Sequence, residues 1–281
     1  MKIQAALQSA TESFAKAGIE SAAADAEILL AHLLNISRGE LQAKAFTDAE
    51  FSETESYTNL VAKRAQRIPL QHLTGVAHFR RLTLKVGPGV FVPRPETEVV
   101  THLAVDALRA VGNESPIAVD LATGSGAIAL SLAVEVPNAK VFAIELSEDA
   151  LEYTRVNFAE LAPEAVLVQG DLVDAFPELN GTVDVLVSNP PYIPDEMIPI
   201  YPEVHLHDPS LALYGGADGL DVVRNVDSAA KRLLRSGGTL IIEHADMQGE
   251  AVRELLLASG WIQVRTHKDL VGRDRATTAL A

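Results

Sequence analysis

The sequence predicts an α/β fold, in which a parallel β-sheet with helices on both faces follows a small helical domain. The first observation is the region after residue 96, where apolar segments of strand length alternate with segments of helical periodicity. The second is the region before residue 70, where apolar residues recur only at helical spacing. We therefore predict three parts: a helical domain at 1–70, a hairpin linker at 71–95 and an α/β domain at 96–281.

The helical region contains three predicted helices. The first ends at Gly18, and Ser21 is placed to cap the second. Ser52 and Glu55 have the spacing of a capping box at the start of the third helix, which Pro69 ends. Three short amphipathic helices of this kind can form a small bundle.

The linker and the α/β domain are predicted from a change in periodicity. Alternating apolar residues at 82–86, a Gly-Pro-Gly turn at 87–89 and an apolar segment at 90–92 indicate a hairpin. Strands are expected at 117–121, 141–144, 165–168, 183–187, 240–242 and 262–265, and helices at 99–108, 127–136, 149–161, 220–234 and 249–258. Because strand–helix alternation is typical of βαβ units, these strands should be parallel.

The charge of the chain limits the partners that it can bind. Among 281 residues, 23 are basic and 38 are acidic, which gives a formal net charge of −15. A protein that grips nucleic acid usually has a cationic surface, since phosphate contacts supply much of its affinity. We therefore expect no direct contact with nucleic acid, and a basic protein or a small neutral or zwitterionic ligand as the partner.

Further classes are excluded by what the sequence lacks. The absence of cysteine excludes disulfides, thiolate metal ligands and a cysteine nucleophile. No segment has the roughly 20 consecutive apolar residues that cross a bilayer, and the N-terminus has no secretory pattern. His205 and His207, followed by Asp208, lie in an irregular segment without further ligand spacing, so no metal site is predicted. We expect a cytoplasmic monomer that does not contact a membrane.

The first candidate site is a turn between a predicted strand and a predicted helix, Ala122-Thr123-Gly124-Ser125-Gly126. Its glycines allow a ligand to approach the backbone, and the helix N-terminus offers unpaired N–H groups to an anion. Ala129 stands where the dinucleotide fingerprint requires a third glycine, so a ligand with a carboxylate and an adenosine fits better than NAD. A tight turn without a ligand is the alternative.

Acidic residues follow the next two predicted strands. Glu145 ends the first of them, about 20 residues beyond the glycines, where an acidic residue accepts hydrogen bonds from both ribose hydroxyls. Asp171 follows the second and can accept a hydrogen bond from an adenine amino group, with Leu172 packed on the base. Judged alone, Glu145 also fits a solvated strand end, and Asp171 fits a helix N-cap.

The most specific segment, Asn189-Pro190-Pro191-Tyr192, follows the predicted strand at 183–187. An amide nitrogen is a poor nucleophile because its lone pair is delocalised into the carbonyl. The Asn189 side-chain oxygen and the Pro190 carbonyl can accept hydrogen bonds from both N–H groups and so orient that lone pair. The prolines fix the backbone and offer no competing N–H, and Tyr192 supplies a flat face for stacking. Prolines that merely end a strand would not explain the whole tetrapeptide.

This tetrapeptide and several further segments resemble those of amino methyltransferases, most closely the release factor glutamine methyltransferases, the HemK/PrmC family. The resemblance covers nearly the whole chain. The segments that carry it, of which 91–98 is the most family-specific, are 72–75, 91–98, 122–126, 189–192, 208–209, 211–213, 215–220, 243–244 and 272–275.

The resemblance implies a Rossmann-like domain that uses S-adenosylmethionine, leaving S-adenosylhomocysteine. It implies methylation of the side-chain amide nitrogen (N5) of the glutamine in the Gly-Gly-Gln motif of peptide chain release factors. Residues 122–126, Glu145, Leu172 and Asn189 would then line the cofactor, and 189–192 would hold the glutamine. We expect the helical domain to recognise the release factor.

Two other functions are weighed against this one. An adenine-N6 nucleic-acid methyltransferase is the main alternative, since a base also presents an exocyclic amino group. Such an enzyme must extrude its base and usually carries a basic region, which this acidic chain lacks. A non-catalytic binding module of the same fold is disfavoured by the intact tetrapeptide together with Glu145.

Two positions depart from the family pattern. The family often has glycine where Ala122 stands, so the backbone approach to the methionine moiety is expected to be slightly altered. Some members have an aromatic residue where Leu172 stands, so stacking on adenine is expected to be weaker. Neither change removes an atom that the chemistry requires.

Overall fold

The computed structural model describes residues 1–281, which form two compact units. The first, the helical unit, comprises residues 1–76 together with 199–207. The second, the α/β unit, comprises residues 77–198 and 208–281. None of the helices is both long enough and apolar enough to cross a membrane.

Eleven α-helices and nine strands make up the two units. The helices are α1 (Ile3–Lys16), α2 (Ala22–Leu33), α3 (Arg38–Phe46), α4 (Thr54–Ala65), α5 (Leu70–Thr74), α6 (Thr97–Arg109), α7 (Ala127–Glu135), α8 (Glu148–Leu161), α9 (Pro202–His207), α10 (Asp221–Leu233) and α11 (Gly249–Ala258). The strands are β1 (Val76–Phe79), β2 (Leu82–Lys85), β3 (Ile117–Leu121), β4 (Lys140–Glu145), β5 (Val166–Gln169), β6 (Val183–Ser188), β7 (Leu234–Glu243), β8 (Ile262–Lys268) and β9 (Asp274–Leu280).

The region before residue 76 contains five helices, so the prediction of three was wrong. The helix α3 buries only Leu41, which leaves no apolar periodicity for sequence reading to detect. Its start is nevertheless marked by a capping box, in which Ser37 and Glu40 bond each other's backbone N–H groups. The predicted box at Ser52 is absent, because α4 begins after Glu53 without a side-chain cap.

A buried ion-pair cluster joins the segment 199–207 to the rest of the helical unit. The Arg64 guanidinium lies 2.7 Å from an Asp25 carboxylate oxygen and 2.9 Å from one of Glu203. Arg67 reaches the other oxygen of Glu203 at 2.5 Å. Arg64 is only 5% exposed, so its buried charge depends on these carboxylates for compensation. These contacts tie α9 to α2 and α4.

The hairpin is formed by β1 and β2, one strand earlier in the chain than predicted. Residues 90–92 have no strand partner, so the expected second strand was wrong. Val90 and Val92 are nonetheless buried in the core of the α/β unit. Their apolar alternation therefore reflects burial of an extended segment rather than pairing in a sheet.

The α/β unit contains a seven-stranded sheet in the order β5-β4-β3-β6-β7-β9-β8. The first five strands are parallel, and β9 runs antiparallel to both neighbours, β7 and β8. The prediction of an α/β fold is confirmed, but the sheet is mixed rather than wholly parallel. The strand β9 was missed because its sequence, DRATTAL, mixes charged and small residues instead of forming an apolar run.

Two hydrophobic clusters cover the faces of this sheet. The strand β6 is buried along its whole length, as expected for a central parallel strand. The order of strands reverses between β3 and β6, since β4 and β5 continue to one side and β7 to the other. Such a switch point leaves a crevice at the carboxyl ends of the strands, where ligands bind in open α/β sheets.

Candidate functional site

The candidate residues lie at the carboxyl ends of four neighbouring strands. In register, Leu121 of β3 pairs with Ile144 of β4 and with Ser188 of β6, and Glu145 pairs with Gln169 of β5. The segments that follow these strands are therefore adjacent along one edge. The Ser188 hydroxyl also donates to the Leu121 carbonyl at 2.7 Å, which ties β6 to the start of the turn after β3.

The turn 122–126 is held by side chains from two directions. The Thr123 hydroxyl donates to the Asp120 carboxylate at 2.6 Å. From α8, Thr154 donates to the Gly124 carbonyl at 2.5 Å and Asn157 donates to the Ser125 carbonyl at 2.9 Å. With its carbonyls satisfied in this way, the turn is a rigid element that presents backbone N–H groups at the N-terminus of α7.

Ala122 occupies a backbone conformation that favours glycine. Its φ is +61°, in the left-handed region where a β-carbon costs roughly 1–2 kcal/mol. Gly124 and Gly126 in the same turn also have positive φ, at +56° and +87°. The turn therefore keeps the left-handed geometry at residue 122 even without glycine there.

Glu145 links the turn to the end of β4. One of its carboxylate oxygens accepts the Gly124 N–H at 2.8 Å, and the other accepts the Ser147 N–H at 2.7 Å. Burial raises the pKa of this carboxyl, and the backbone hydrogen bonds oppose that rise. Glu145 is only 8% exposed, so it is not a freely solvated strand-end residue.

Asp171 and Leu172 follow β5, at the outer edge of the site. The Asp171 carboxylate accepts the Val173 N–H at 3.0 Å and caps a short 3-10 helix. The helix N-cap considered as an alternative role for Asp171 is therefore present. Leu172 packs into the hydrophobic cluster that also contains Ile144. A cavity of about 280 Å³ lies beside them, with Gly170 and Asp171 among its lining residues.

The tetrapeptide 189–192 leaves β6 with polar contacts at both ends. The Asn189 side-chain Nδ2 donates to the Thr97 hydroxyl oxygen at 3.4 Å. The Tyr192 hydroxyl donates to the Glu243 carboxylate at 3.3 Å. Burial raises the pKa of Glu243 to about 7, against hydrogen bonds from Thr97 and Tyr192 and the charge of Arg275. The first and last residues of the tetrapeptide are thus anchored by residues of α6 and β7.

This site stands in a chain whose relatives are methyltransferases. A family model described as the PrmC N-terminal domain matches residues 5–75, and one described as the methyltransferase small domain matches residues 81–198. The release factor glutamine methyltransferase of Streptomyces coelicolor is 52% identical over 272 residues, which cover 96% of this chain and 95% of the relative.

The chain belongs to the release factor glutamine methyltransferase family.

Two further comparisons concern the substrate and the fold of related proteins. A 4-amino-L-phenylalanine/4-methylamino-L-phenylalanine methyltransferase from Streptomyces pristinaespiralis is 41% identical, covering 91% of this chain and 87% of the relative. A solved methyltransferase structure from Pyrococcus furiosus aligns with a TM-score of 0.52 at 21% identity, covering 80% of this chain and 98% of that one. The second comparison shows a shared fold. The first shows that sequences this similar can carry names with different substrates.

Several residues around the site were not assigned a role from the sequence. Glu243 ends β7 next to β6, so the rule that selected Glu145, a polar residue at the carboxyl end of a strand, would have found it. Leu146, directly after Glu145, is 51% exposed, which is unusual for a leucine beside a buried strand. Thr97 carries no local signal, since only the fold brings it to Asn189.

Two of the segments that carry the family resemblance meet through Arg94. Its guanidinium forms an ion pair with the buried Asp208 carboxylate and lies 4.9 Å from the centre of the Phe91 ring. These contacts fix the segment 91–98, near whose end α6 begins at Thr97.

The glycine-rich segment 215–219 packs against the backbone of the tetrapeptide. A β-carbon on Gly215 would lie 2.6 Å from the Pro191 carbonyl oxygen, and one on Gly219 would lie 2.3 Å from that of Tyr192. Gln248 donates to the same Tyr192 carbonyl at 2.9 Å. These glycines therefore allow the backbone of 215–219 to approach the backbone of the tetrapeptide closely and to support it.

We expect Gly219→Ala to lower kcat about tenfold or more, because the new β-carbon must displace the Tyr192 carbonyl and with it the tetrapeptide. The matched control is Gly181→Ala. Both glycines have positive φ, +75° and +69°, but a β-carbon on Gly181 meets no atom within 4 Å. The control should lose only the roughly 1–2 kcal/mol of backbone strain and keep its kcat. Thermal unfolding and initial rates of both variants check this, and equal rates would contradict the supporting role.

Proposed function

We propose that this chain transfers the methyl group of S-adenosylmethionine to the side-chain amide nitrogen of the glutamine in the Gly-Gly-Gln motif of peptide chain release factors. The observation that carries the proposal is the tetrapeptide 189–192 at the end of β6, anchored at both ends and adjacent to the turn after β3. The names of relatives that match almost the whole chain support the same substrate.

The residues at this edge of the sheet fit S-adenosylmethionine by their chemistry. A β-carbon on Gly124 would meet no atom within 4 Å, so the turn leaves open space beside its backbone. The Gly124 and Ser147 N–H groups each donate to one Glu145 oxygen, and a carboxylate offers about four acceptor positions, so acceptor capacity remains for the ribose. Asp171 keeps one carboxylate oxygen for the adenine amino group, and Leu146 and Leu172 supply apolar surface for the base.

The methyl donor supplies an electrophilic carbon on a positively charged sulfur, and the chain's own residues prepare the amide. The Asn189 oxygen and the Pro190 carbonyl accept hydrogen bonds from the two N–H groups of the substrate amide. Positive charge develops on that nitrogen during transfer, so these acceptors stabilise the transition state more than the ground state. Tyr192 provides the flat surface against which the amide plane lies.

We propose that the helical unit recognises the release factor and takes no part in the chemical step. All candidate chemical residues lie in the α/β unit, whereas the helical unit contributes packing and exposed surface. Within 199–207, Ile200, Tyr201 and Leu206 are 92%, 60% and 59% exposed, an apolar surface suited to a protein partner. A lone glutamine side chain offers too little surface for selectivity, so a protein substrate requires such remote contacts.

The decisive experiment co-expresses the enzyme with a release factor and measures the intact mass of the release factor. We expect a gain of one methyl group, and no gain in a release factor whose Gly-Gly-Gln glutamine is replaced by alanine. In purified form, kcat/KM for the whole release factor should exceed that for a short Gly-Gly-Gln peptide by about tenfold or more, because the peptide lacks the remote contacts. Equal values would contradict the role of the helical unit.

Two other substrates are tested with the purified enzyme and S-adenosylmethionine that carries a labelled methyl group. Labelling of duplex DNA would support the adenine-N6 alternative, which the net charge of −15 disfavours. Labelling of a free aromatic amine in preference to the release factor would support the activity named for the Streptomyces pristinaespiralis relative. We propose that the enzyme acts as a cytoplasmic monomer, where release factors meet ribosomes, without direct contact with nucleic acid.

A further inference from the structure

A chain of buried polar groups lies behind Asn189. The Asn189 Nδ2 donates to Thr97 Oγ1 at 3.4 Å. The Thr97 hydroxyl in turn lies close enough to the Glu243 carboxylate to lower the pKa of that carboxyl. Thr97 and Glu243 are 3% and 2% exposed, so water does not compete for these contacts. Asn189 follows β6, Thr97 begins α6 and Glu243 ends β7, so the contacts exist only in the folded chain.

The direction of these hydrogen bonds follows from the chemistry of the last group in the chain. An ionised carboxylate only accepts hydrogen bonds, so the single hydroxyl proton of Thr97 points to Glu243. The Thr97 oxygen can then only accept from Asn189, which must turn its NH₂ group toward it. The Asn189 oxygen is thereby left facing away from Thr97, free to accept an N–H of the substrate amide.

We propose that Thr97, oriented by Glu243, is a positioning residue that fixes the side-chain amide of Asn189 with its oxygen toward the substrate. The inference rests on the proposed function, because it explains how the acceptor needed for amide methylation is kept in the productive orientation. Without such a constraint, the two ends of an asparagine amide are nearly the same in shape, and rotation by half a turn would present a donor instead of an acceptor.

Glu243 serves both ends of the tetrapeptide. Its carboxylate also accepts the Tyr192 hydroxyl at 3.3 Å. The positive charge of Arg275 lowers the pKa of this carboxyl, and the negative charge of Glu96 raises it. Since burial raises the pKa of Glu243 to about 7, the direction argument holds where this group is ionised, and assays are best run at about pH 8 or above.

The test compares Thr97→Val with Thr97→Ser in the full-length enzyme. Valine keeps the shape of threonine but has no hydroxyl, whereas serine keeps the hydroxyl. We expect Thr97→Val to lower kcat about tenfold, because the productive orientation of Asn189 then leaves a buried N–H unpaired. The KM for the release factor and the affinity for S-adenosylhomocysteine should change little. Thr97→Ser should restore most of the rate, which a merely structural role for the side-chain volume would not predict.

A second readout does not depend on activity. In protein labelled with ¹⁵N-asparagine, the side-chain NH₂ resonances of Asn189, identified by their loss in Asn189→Ala, should exchange with water faster in Thr97→Val than in wild type or Thr97→Ser. Unchanged exchange with an unchanged kcat in Thr97→Val would overturn the positioning role. A wild-type enzyme that does not methylate the release factor at all would instead overturn the proposed function, so the two failures are distinguishable.

Discussion

Replacing Asn189 with alanine is expected to lower kcat at least about a hundredfold while leaving the fold intact. The variant loses the oxygen that accepts a substrate N–H, and removal of one preorganised group of this kind costs about 3 kcal/mol or more in the transition state. Asn189 lies after β6 rather than in the core, so thermal unfolding should be nearly unchanged. Single-turnover rates at saturating cofactor, with calorimetry for S-adenosylhomocysteine, measure the two effects separately.

Asn189→Asp is the matched control, because aspartate keeps an acceptor oxygen at the same place. We expect a milder loss than with alanine. The loss should still be measurable, since a second carboxylate beside Thr97 competes with Glu243 for the one hydroxyl proton. Near-normal turnover by Asn189→Ala would contradict the catalytic assignment of this residue.

The sequence was sufficient to predict the α/β sheet, because its parallel strands are short apolar runs that lie between amphipathic helices. Prediction from the sequence failed for elements whose local residue pattern does not reflect the contacts that they make in the folded chain. The antiparallel strand β9 pairs through its backbone with β7 and β8, and pairing of this kind requires no apolar run. The helix α3 buries a single leucine, so only its capping box marks it.

The candidate site likewise contains residues that the sequence predicts and residues that it does not. Residues that follow strands, such as Glu145 and Asn189, are predictable because the carboxyl ends of adjacent parallel strands meet at one edge. Thr97 and Glu243 act through Asn189 and Tyr192, and their partners lie far away in sequence. The resemblance to the family selects segments 91–98 and 243–244. The atoms that their side chains contact are known only from the folded structure.

The second large effect is expected at Glu145. Glu145→Ala should weaken the binding of S-adenosylhomocysteine about 10- to 100-fold, because charge-assisted hydrogen bonds to the ribose are worth about 1.5–3 kcal/mol. The structure adds a second cause, since the same carboxylate holds the Gly124 N–H at 2.8 Å and so shapes the turn. Isothermal titration measures the affinity, and kcat at saturating cofactor should change much less than the affinity does.

Two matched variants separate these causes. Glu145→Gln keeps the size of the side chain and an oxygen for Gly124, but it loses the charge and one acceptor, so its affinity should fall between those of wild type and Glu145→Ala. Glu148→Ala removes an exposed acidic group from the first turn of α8, near the same edge, and should bind normally. If Glu145→Ala bound S-adenosylhomocysteine as tightly as Glu148→Ala does, the ribose role would be wrong. Glu145 would then serve only to hold the turn against β4.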